Sequence, residues 1–256
     1  MGNHEVFGNR KAHMVFPELV PQRELERRPF ADFFTWRSNR KEHSQEGGVA
    51  YPQPAIDPDL ATLTTTLSVQ NMHEFGNLFV TYLKARREVF ISQKGWELPE
   101  TDGMEFDQYD TPMARWIVIH RHGEVLAGVR IAPTTARCGN HSYMLRDAQL
   151  GLIPQLPSDA LYEEAPVSKY IWEATRLFVS DAVPAKGRPA VQTALMKGMA
   201  SAARSVGATQ VIGIVPAVFK RWLKRIGMKA NAVGPIMKID GDRVQAALMD
   251  VVEYSS

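Results

Sequence analysis

Lys169-Tyr170-Ile171-Trp172-Glu173-Ala174-Thr175-Arg176-Leu177-Phe178-Val179-Ser180 is a long β-rich run, and the architecture turns on how the chain continues from it. A turn at Ala185-Lys186-Gly187-Arg188 leads into a helical stretch from Pro189 to about Val206, with proline suited to the first turn. A second β-rich run, Thr209 to Val215, comes next, which makes a strand-helix-strand unit. Upstream, Trp116 to Arg121 and Val125 to Pro133 flank His122-Gly123-Glu124 as a hairpin. The segment between hairpin and long strand, Thr134 to Ser168, is irregular and rich in proline and glycine. Downstream, the pattern predicts a helix over about Ala217 to Ile226, short strands at Met228 to Ala232 and Ile236 to Ile239, and a closing helix over Arg243 to Val252. An early hairpin with a late strand-helix-strand unit gives an α/β (α+β) domain of three layers.

Toward the N-terminus, Met72, Phe75, Phe79, Tyr82 and Leu83 are spaced by three and four and predict one buried face of an amphipathic helix. Continuing that face reaches Arg86 and Phe90. An arginine on the core side of a helix needs paired acceptors to offset its desolvation. Residues 1–60 mix charge, proline and polar residues and read as a partly disordered extension, with the main domain over 61–256. Within the extension, Phe30-Ala31-Asp32-Phe33-Phe34-Thr35-Trp36 is too aromatic for a free linker and is expected to dock on the main domain.

With 256 residues, 45% of them hydrophobic, the chain can bury a substantial core. Its formal charge of +2 lacks the one-sided excess of a general nucleic-acid binder. The single Cys138 excludes an internal disulfide and a cysteine-rich zinc site, and suits the reducing cytosol. No apolar run approaches the length of a membrane span. His120 and His122 share a strand face without a third ligand, so no metal site is expected. Cys138 with His141 has no orienting partner, so a thiol nucleophile is not expected either.

The polar residues in apolar settings are more informative. Arg86 lies on the helix face, Arg130 within Val125 to Pro133, and Arg176 within Ile171 to Val179. Three acids lie within reach, Asp107 and Asp110 in the loop before the hairpin and Glu173 on the long strand. For any one pair a structural salt bridge is the simpler reading, whereas three pairs converging in one domain suggest a ligand site. Glu173 and Arg176 would point to opposite faces of a regular strand, so a bulge near Ala174-Thr175 is predicted to bring them together.

These residues, in order, resemble the acyl-homoserine lactone synthases that make quorum-sensing signals. The likeness runs from Arg86, Phe90 and Trp96 through Asp107-Gln108-Tyr109-Asp110 to Arg130 before Pro133-Thr134-Thr135. It continues through Tyr143-Met144-Leu145-Arg146-Asp147 to Trp172-Glu173-Ala174-Thr175-Arg176, and covers most of residues 70–230. The resemblance implies a GNAT-like α/β/α fold whose central mixed sheet splits into a V that admits the acyl donor's pantetheine arm. It implies S-adenosylmethionine as a substrate rather than a cofactor, an acyl-carrier protein or acyl-CoA as donor, amide formation, lactone closure and release of methylthioadenosine.

On that reading Arg86, Phe90, Trp96, Asp107 and Arg130 would bind S-adenosylmethionine, whose sulfonium suits an aromatic wall. Glu173, Arg176, Asp107, Asp110 and Arg130 would form the catalytic set, with Glu173 taking the amine proton once burial has raised its pKa. Lys186 and Arg188, in the turn where GNAT-like proteins present helix-end amides to a pantetheine or pyrophosphate, would meet the acyl donor. Lys220, Arg221, Lys224 and Arg225 lie at helical spacing, where they form a solvated face or attract an acidic carrier protein. Pro216 stands where some members carry Ser or Thr near the acyl chain, which leaves a preference for an oxidised third carbon open. Two other readings use the same residues: a GNAT-like N-acyltransferase for a different amine, and a non-catalytic ligand-binding relative.

Overall fold

The computed structural model describes residues 62–239 and 241–251, so the Phe30–Trp36 segment and the rest of the N-terminal extension lie outside the described residues. The elements are β1 (Leu63–Leu67), α1 (Leu78–Arg87), β2 (Glu100–Thr101), β3 (Met104–Glu105), β4 (Arg115–Arg121), β5 (Glu124–Pro133) and α2 (Met144–Gln149). They continue with β6 (Ile171–Val179), α3 (Arg188–Ser205), β7 (Gln210–Pro216), α4 (Phe219–Arg225), β8 (Ala230–Ile239) and β9 (Asp242–Asp250). A seven-stranded sheet runs β1-β4-β5-β6-β7-β9-β8, and β2 and β3 form a separate hairpin. Among the described residues only β6 and β7 pair in parallel, as expected when a crossover helix joins them.

Helices cover both faces. On one, α3 and α4 pack Leu195, Met199, Phe219 and Leu223 against Ile117, Val129, Val211 and Met249. On the other, α1 sets Tyr82 and Leu83 against Trp116, Val118 and Phe178. Beside it, Leu145 of α2 and Ala160 and Leu161 of the following loop pack on Ile212, Val244 and Ala246. The result is the expected α/β/α arrangement. Among the described residues no helix is long and apolar enough to cross a membrane.

The split in the sheet is visible in the pairing of β6 with β7. Ile171, Trp172 and Glu173 pair with Gln210, Val211 and Ile212, and no further pairs occur between these strands. Gly213 permits the close approach at the apex, since a Cβ there would lie 2.8 Å from the Ala174 carbonyl oxygen. Beyond that point β6 pairs only with β5, and β7 only with β9.

Several sequence expectations change. The hairpin holds, with His122 and Gly123 both at positive φ (49° and 84°), as a two-residue turn requires. The first amphipathic stretch is not one helix: Met72–Phe75 is a single 3-10 turn, Gly76 breaks it at φ 54°, and α1 starts at Leu78. The two short strands near the C-terminus are one strand, β8, with an irregularity between Ala232 and Ile236. The closing helix is a strand, β9. Its Val244 to Met249 stretch is rich in helix formers, but it lies between β7 and β8 with both faces covered, so its apolar residues do not alternate cleanly. Strand β1 lies outside the sequence expectations: its three β-branched threonines favour extended structure, but they give no apolar alternation to mark a buried face.

Gly128 of β5 shows how tightly the α1 face is packed. A Cβ there would lie 2.4 Å from Tyr82 Cε2 and 2.9 Å from Phe178 Cε1. Gly128→Ala is expected to lower stability by about 1–3 kcal/mol, read as a lower urea midpoint at unchanged slope.

Candidate active site

Arg86 occupies the buried face of α1 and is fully enclosed. A short π-helical run, Glu88–Gln93, continues the chain and buries Val89 and Phe90 together, which places Phe90 beside the sheet. The β2–β3 hairpin turns at Asp102-Gly103, both at positive φ, and thereby sets Glu105 against α1. The following loop carries Asp107, Tyr109 and Asp110 to the end of β5 and β6.

These elements meet in a closed ring of alternating charge. Glu105 accepts from Arg86 Nε at 2.5 Å and from Arg176 Nε at 3.1 Å. Asp107 joins Arg176 Nη2 at 2.9 Å to Arg130 Nη1 at 2.5 Å. Asp110 joins Arg130 Nη1 at 2.9 Å to Arg86 Nη1 at 2.7 Å and so completes the circle. Trp116 Nε1, the Asp107 amide and the Tyr109 amide supply further donors to the carboxylates. Burial works against ionisation of Asp107 and Asp110, yet the adjacent guanidinium groups win and hold both carboxyls below the usual range. Asp107 and Asp110 hold Arg130 above the ordinary arginine value despite burial, and Tyr82, Asp110 and Glu105 do the same for Arg86.

Arg176 reaches the ring through a bulge. Arg130 pairs with Thr175 and Gly128 with Phe178, so Arg176 and Leu177 stand opposite the single Val129. Arg176 itself has φ 53°, a left-handed conformation that is uncommon for a non-glycine residue and typical of functional sites. The predicted bulge is therefore present, slightly later than Ala174-Thr175. It turns Arg176 to the side of the sheet that Glu173 occupies.

Glu173 takes no part in the ring; Glu105 holds the place expected for it. Its oxygens accept from the backbone amides of Met144 (2.8 Å) and Leu145 (2.7 Å) at the start of α2. Burial pushes its carboxyl up to about 7, and those two amides and Arg130 only partly oppose the shift. Tyr109 stands nearby, its hydroxyl donating to buried Asp147 at 2.9 Å. Asp147 also accepts from the Ser142 hydroxyl at 2.7 Å.

A cavity of about 450 Å³ opens where β6 and β7 part, within the roughly 300–1,000 Å³ usual for small-molecule sites. One end is polar and aromatic, with Phe90, Trp96, Asp107, Tyr109 and Arg176. The other is largely apolar, with Leu145, Ile214, Ile239 and Val244 from one core cluster, and Glu173 and the loop residues Ile153, Gln155 and Leu156 line the wall as well. Phe90 and Trp96 stack at 5.1 Å, and the Arg176 guanidinium lies 5.7 Å from the Phe90 ring centre. Arg86, Asp110 and Arg130 do not line the cavity; they stand behind it in the ring. Lys186 and Arg188 do not line it either. Arg188 instead ties down its own turn through the Ser180 and Val183 carbonyls and Asp181. Glu105 escaped sequence reasoning, although the Asp102-Gly103 turn signal marks the hairpin that positions it.

The profile of the family described as autoinducer synthase matches residues 71–256. The chain belongs to the autoinducer synthase family. It is 30% identical to an acyl-homoserine-lactone synthase of Acinetobacter nosocomialis over 182 residues, covering 68% of this chain and 92% of that protein. It is 34% identical to a second, from Ralstonia nicotianae, over 173 residues, covering 65% of this chain and 78% of that one. Among solved structures, TofI in a ternary complex with an inhibitor and MTA is 27% identical with a TM-score of 0.57, covering 75% of this chain and 92% of that one. The CoA-dependent synthase MesI shares the fold at 19% identity and a TM-score of 0.62, over 74% of this chain and 89% of that one. As members of this family are acyl-homoserine-lactone synthases, the chain is an acyltransferase.

In this synthase the ring is a structural requirement that can be measured. Glu105→Gln leaves Arg86 and Arg176 short of a buried counter-charge and is expected to cost about 3–5 kcal/mol in urea unfolding. The pH dependence has a definite sign. Asp107 and Asp110 have lowered folded pKa values, so their contribution is present above the unfolded value of about 3.9 and is lost as pH falls below it. Thermal melts should therefore show a steep loss of stability below about pH 4.

Proposed function

We propose that the chain transfers the acyl group of an acyl thioester to the amine of S-adenosylmethionine, then closes the homoserine lactone and releases methylthioadenosine. The observation that carries this reading is the buried Glu173, poised near 7 on the wall of a cavity with one polar, aromatic end and one apolar end. Such a cavity suits an acceptor bearing a sulfonium, an amine and a carboxylate beside a fatty acyl chain.

In this reading the stacked Phe90 and Trp96 face the sulfonium and adenosyl part. Asp107 and Arg176, the ring members on the cavity wall, orient the amine and carboxylate. Arg86, Asp110 and Arg130 act through them as positioning residues. A free α-amino group has a pKa of roughly 7.7–8.0 and is largely protonated at neutral pH. Glu173 takes that proton, directly or through a water, and a carboxylate near 7 is well matched to the task. The neutral nitrogen attacks the thioester carbonyl, its carbon–sulfur bond breaks, and the thiol leaves. Unpaired β6 amides beyond the apex of the V are suited to the developing oxyanion. The carboxylate oxygen then attacks the carbon beside the sulfonium, whose sulfur keeps the bonding pair and departs as neutral methylthioadenosine.

The donor's polar part meets the α3 turn, where Lys186 is exposed. The exposed Arg221, Lys224 and Arg225 on α4, which comes after the cavity-lining Pro216, suit an anionic donor, either an acidic carrier protein or the phosphates of CoA. Raising salt should then raise KM for the acyl donor.

The decisive experiment supplies S-adenosylmethionine with a panel of acyl thioesters and follows lactone and methylthioadenosine by mass spectrometry. Both products are expected, and no lactone from any donor would overturn the proposal. Glu173→Gln should keep S-adenosylmethionine binding in calorimetry yet slow turnover by roughly 100-fold or more. Wild-type kcat/KM should rise with pH around a midpoint near 7, and this inflection should vanish in the variant. Stability carries the opposite sign to Asp107 and Asp110. Because the folded pKa of Glu173 is raised, its contribution is present below the unfolded value and is lost as pH rises through about 7. The variant should gain on wild type in thermal melts over that interval.

A further inference from the structure

The apolar end of the cavity is walled by two different kinds of element. Ile214 comes from β7, and Ile239 and Val244 come from the β8–β9 pair, all strands of the main sheet. Ile153, Gln155 and Leu156 come from the connection between α2 and β6, which has no strand or helix of its own in that stretch. A wall made of loop holds its position only if the loop is anchored.

The anchor lies a few residues on. Ala160, Leu161 and Ala165 of the same connection are buried with Met237, Val244 and Ala246. The Tyr162 amide donates to the Val233 carbonyl at 2.9 Å, and the next carbonyl, that of Gly234, accepts from Gln245 Nε2 at 2.9 Å. Two residues earlier the loop backbone lies directly against the strand. A Cβ on Gly234 would lie 1.9 Å from the Ala160 carbonyl oxygen and 2.9 Å from its carbon. Gly234 lies outside the left-handed φ region, so its conformation is open to other residues and space is what demands glycine. It sits in the irregular part of β8 between Ala232 and Ile236, next to Pro235, on an edge strand where a break in pairing is tolerated.

We infer that the 153–165 loop is the end-stop of the acyl limb, latched by Ala160 on Gly234, and that this latch sets the length of acyl chain the enzyme accepts. The inference rests on the proposed reading, in which the acyl chain fills the apolar end. Leu156 lines the cavity and Ala160 contacts the sheet four residues later, so a displacement at the latch is passed to the wall. A Cβ at position 234 forces the two strands of chain apart by about 1 Å or more before the closest approach reaches 3.0 Å. An apolar pocket discriminates chain length by roughly tenfold or more for each methylene gained or lost. A shift of that size at the wall is thus readable as a change of preferred substrate.

The test measures kcat/KM for lactone formation across a series of straight-chain saturated acyl thioesters, from short to long. Wild type is compared with Gly234→Ala, Tyr162→Pro and Leu156→Ala. Gly234→Ala opens the latch by steric clash, and Tyr162→Pro removes the amide that bonds to Val233 while altering an exposed side chain. Leu156→Ala lengthens the limb without touching the latch. All three are expected to raise the ratio of long-chain to short-chain kcat/KM by roughly tenfold or more. The latch variants should also speed amide hydrogen exchange over the loop, which Leu156→Ala should not. If Leu156→Ala leaves the profile unchanged, the loop is not the end-stop and the inference falls. If Leu156→Ala shifts the profile while Gly234→Ala and Tyr162→Pro scale all chain lengths equally, the latch is overturned. Should Gly234→Ala fail to fold, Tyr162→Pro decides between these outcomes. Absence of lactone from wild type with every donor would instead overturn the parent reading, and the two failures are thereby distinct.

Discussion

The rest of the structure depends on six charges that cannot be separated. Arg86, Glu105, Arg176, Asp107, Arg130 and Asp110 form a ring in which every carboxylate lies between two guanidinium groups. Taking an isolated ion into the interior costs several kcal/mol, and one good pair only partly offsets it. Closing the ring gives each arginine two partners and leaves no buried charge alone. The members come from α1, the β2–β3 hairpin, the loop after it, β5 and β6. Four stretches of chain distant in sequence, around residues 86, 105–110, 130 and 176, are thus held to one geometry, and the cavity wall formed by Asp107 and Arg176 inherits it.

The ring also explains why two kinds of buried carboxylate coexist within one site. Asp107 and Asp110 touch guanidinium groups and are held ionised. Glu173, equally enclosed, accepts from the amides that start α2 rather than from a guanidinium and is pushed up to about 7. The difference is set by the immediate neighbours, because burial acts on all three in the same direction. An acid that stays charged can hold an acceptor in place, whereas one poised near neutrality can accept its proton. Asp107 and Glu173, one of each kind, line the same cavity, and Glu173 sits at the last paired position before β6 and β7 part.

Much of this was legible before any coordinate. The three- and four-residue spacing through Tyr82 and Leu83 placed Arg86 and Phe90 on a buried face, and both are enclosed. The long strand, its crossover helix and the His122-Gly123 hairpin were readable from β-rich runs and turn residues. Period-based reading failed where both faces of an element are covered, as in β9, and where a glycine broke a helical pattern, as at Gly76. It also failed to find Glu105, because nothing in the spacing of a two-residue strand says which side chain will meet an arginine 19 positions earlier.

The sequence by itself determined the fold class, the family resemblance and the presence of arginines and acids that had to be buried together. Those come from local periodicity, turn chemistry and residue types in fixed order. Tertiary structure alone decided which acid meets which arginine, that Glu173 stands apart from them, and that the Ala160 carbonyl lies against Gly234. Desolvation, Coulomb attraction and backbone clearance depend on distance in space, and chain order does not specify those distances until the sheet has split and its faces have been covered.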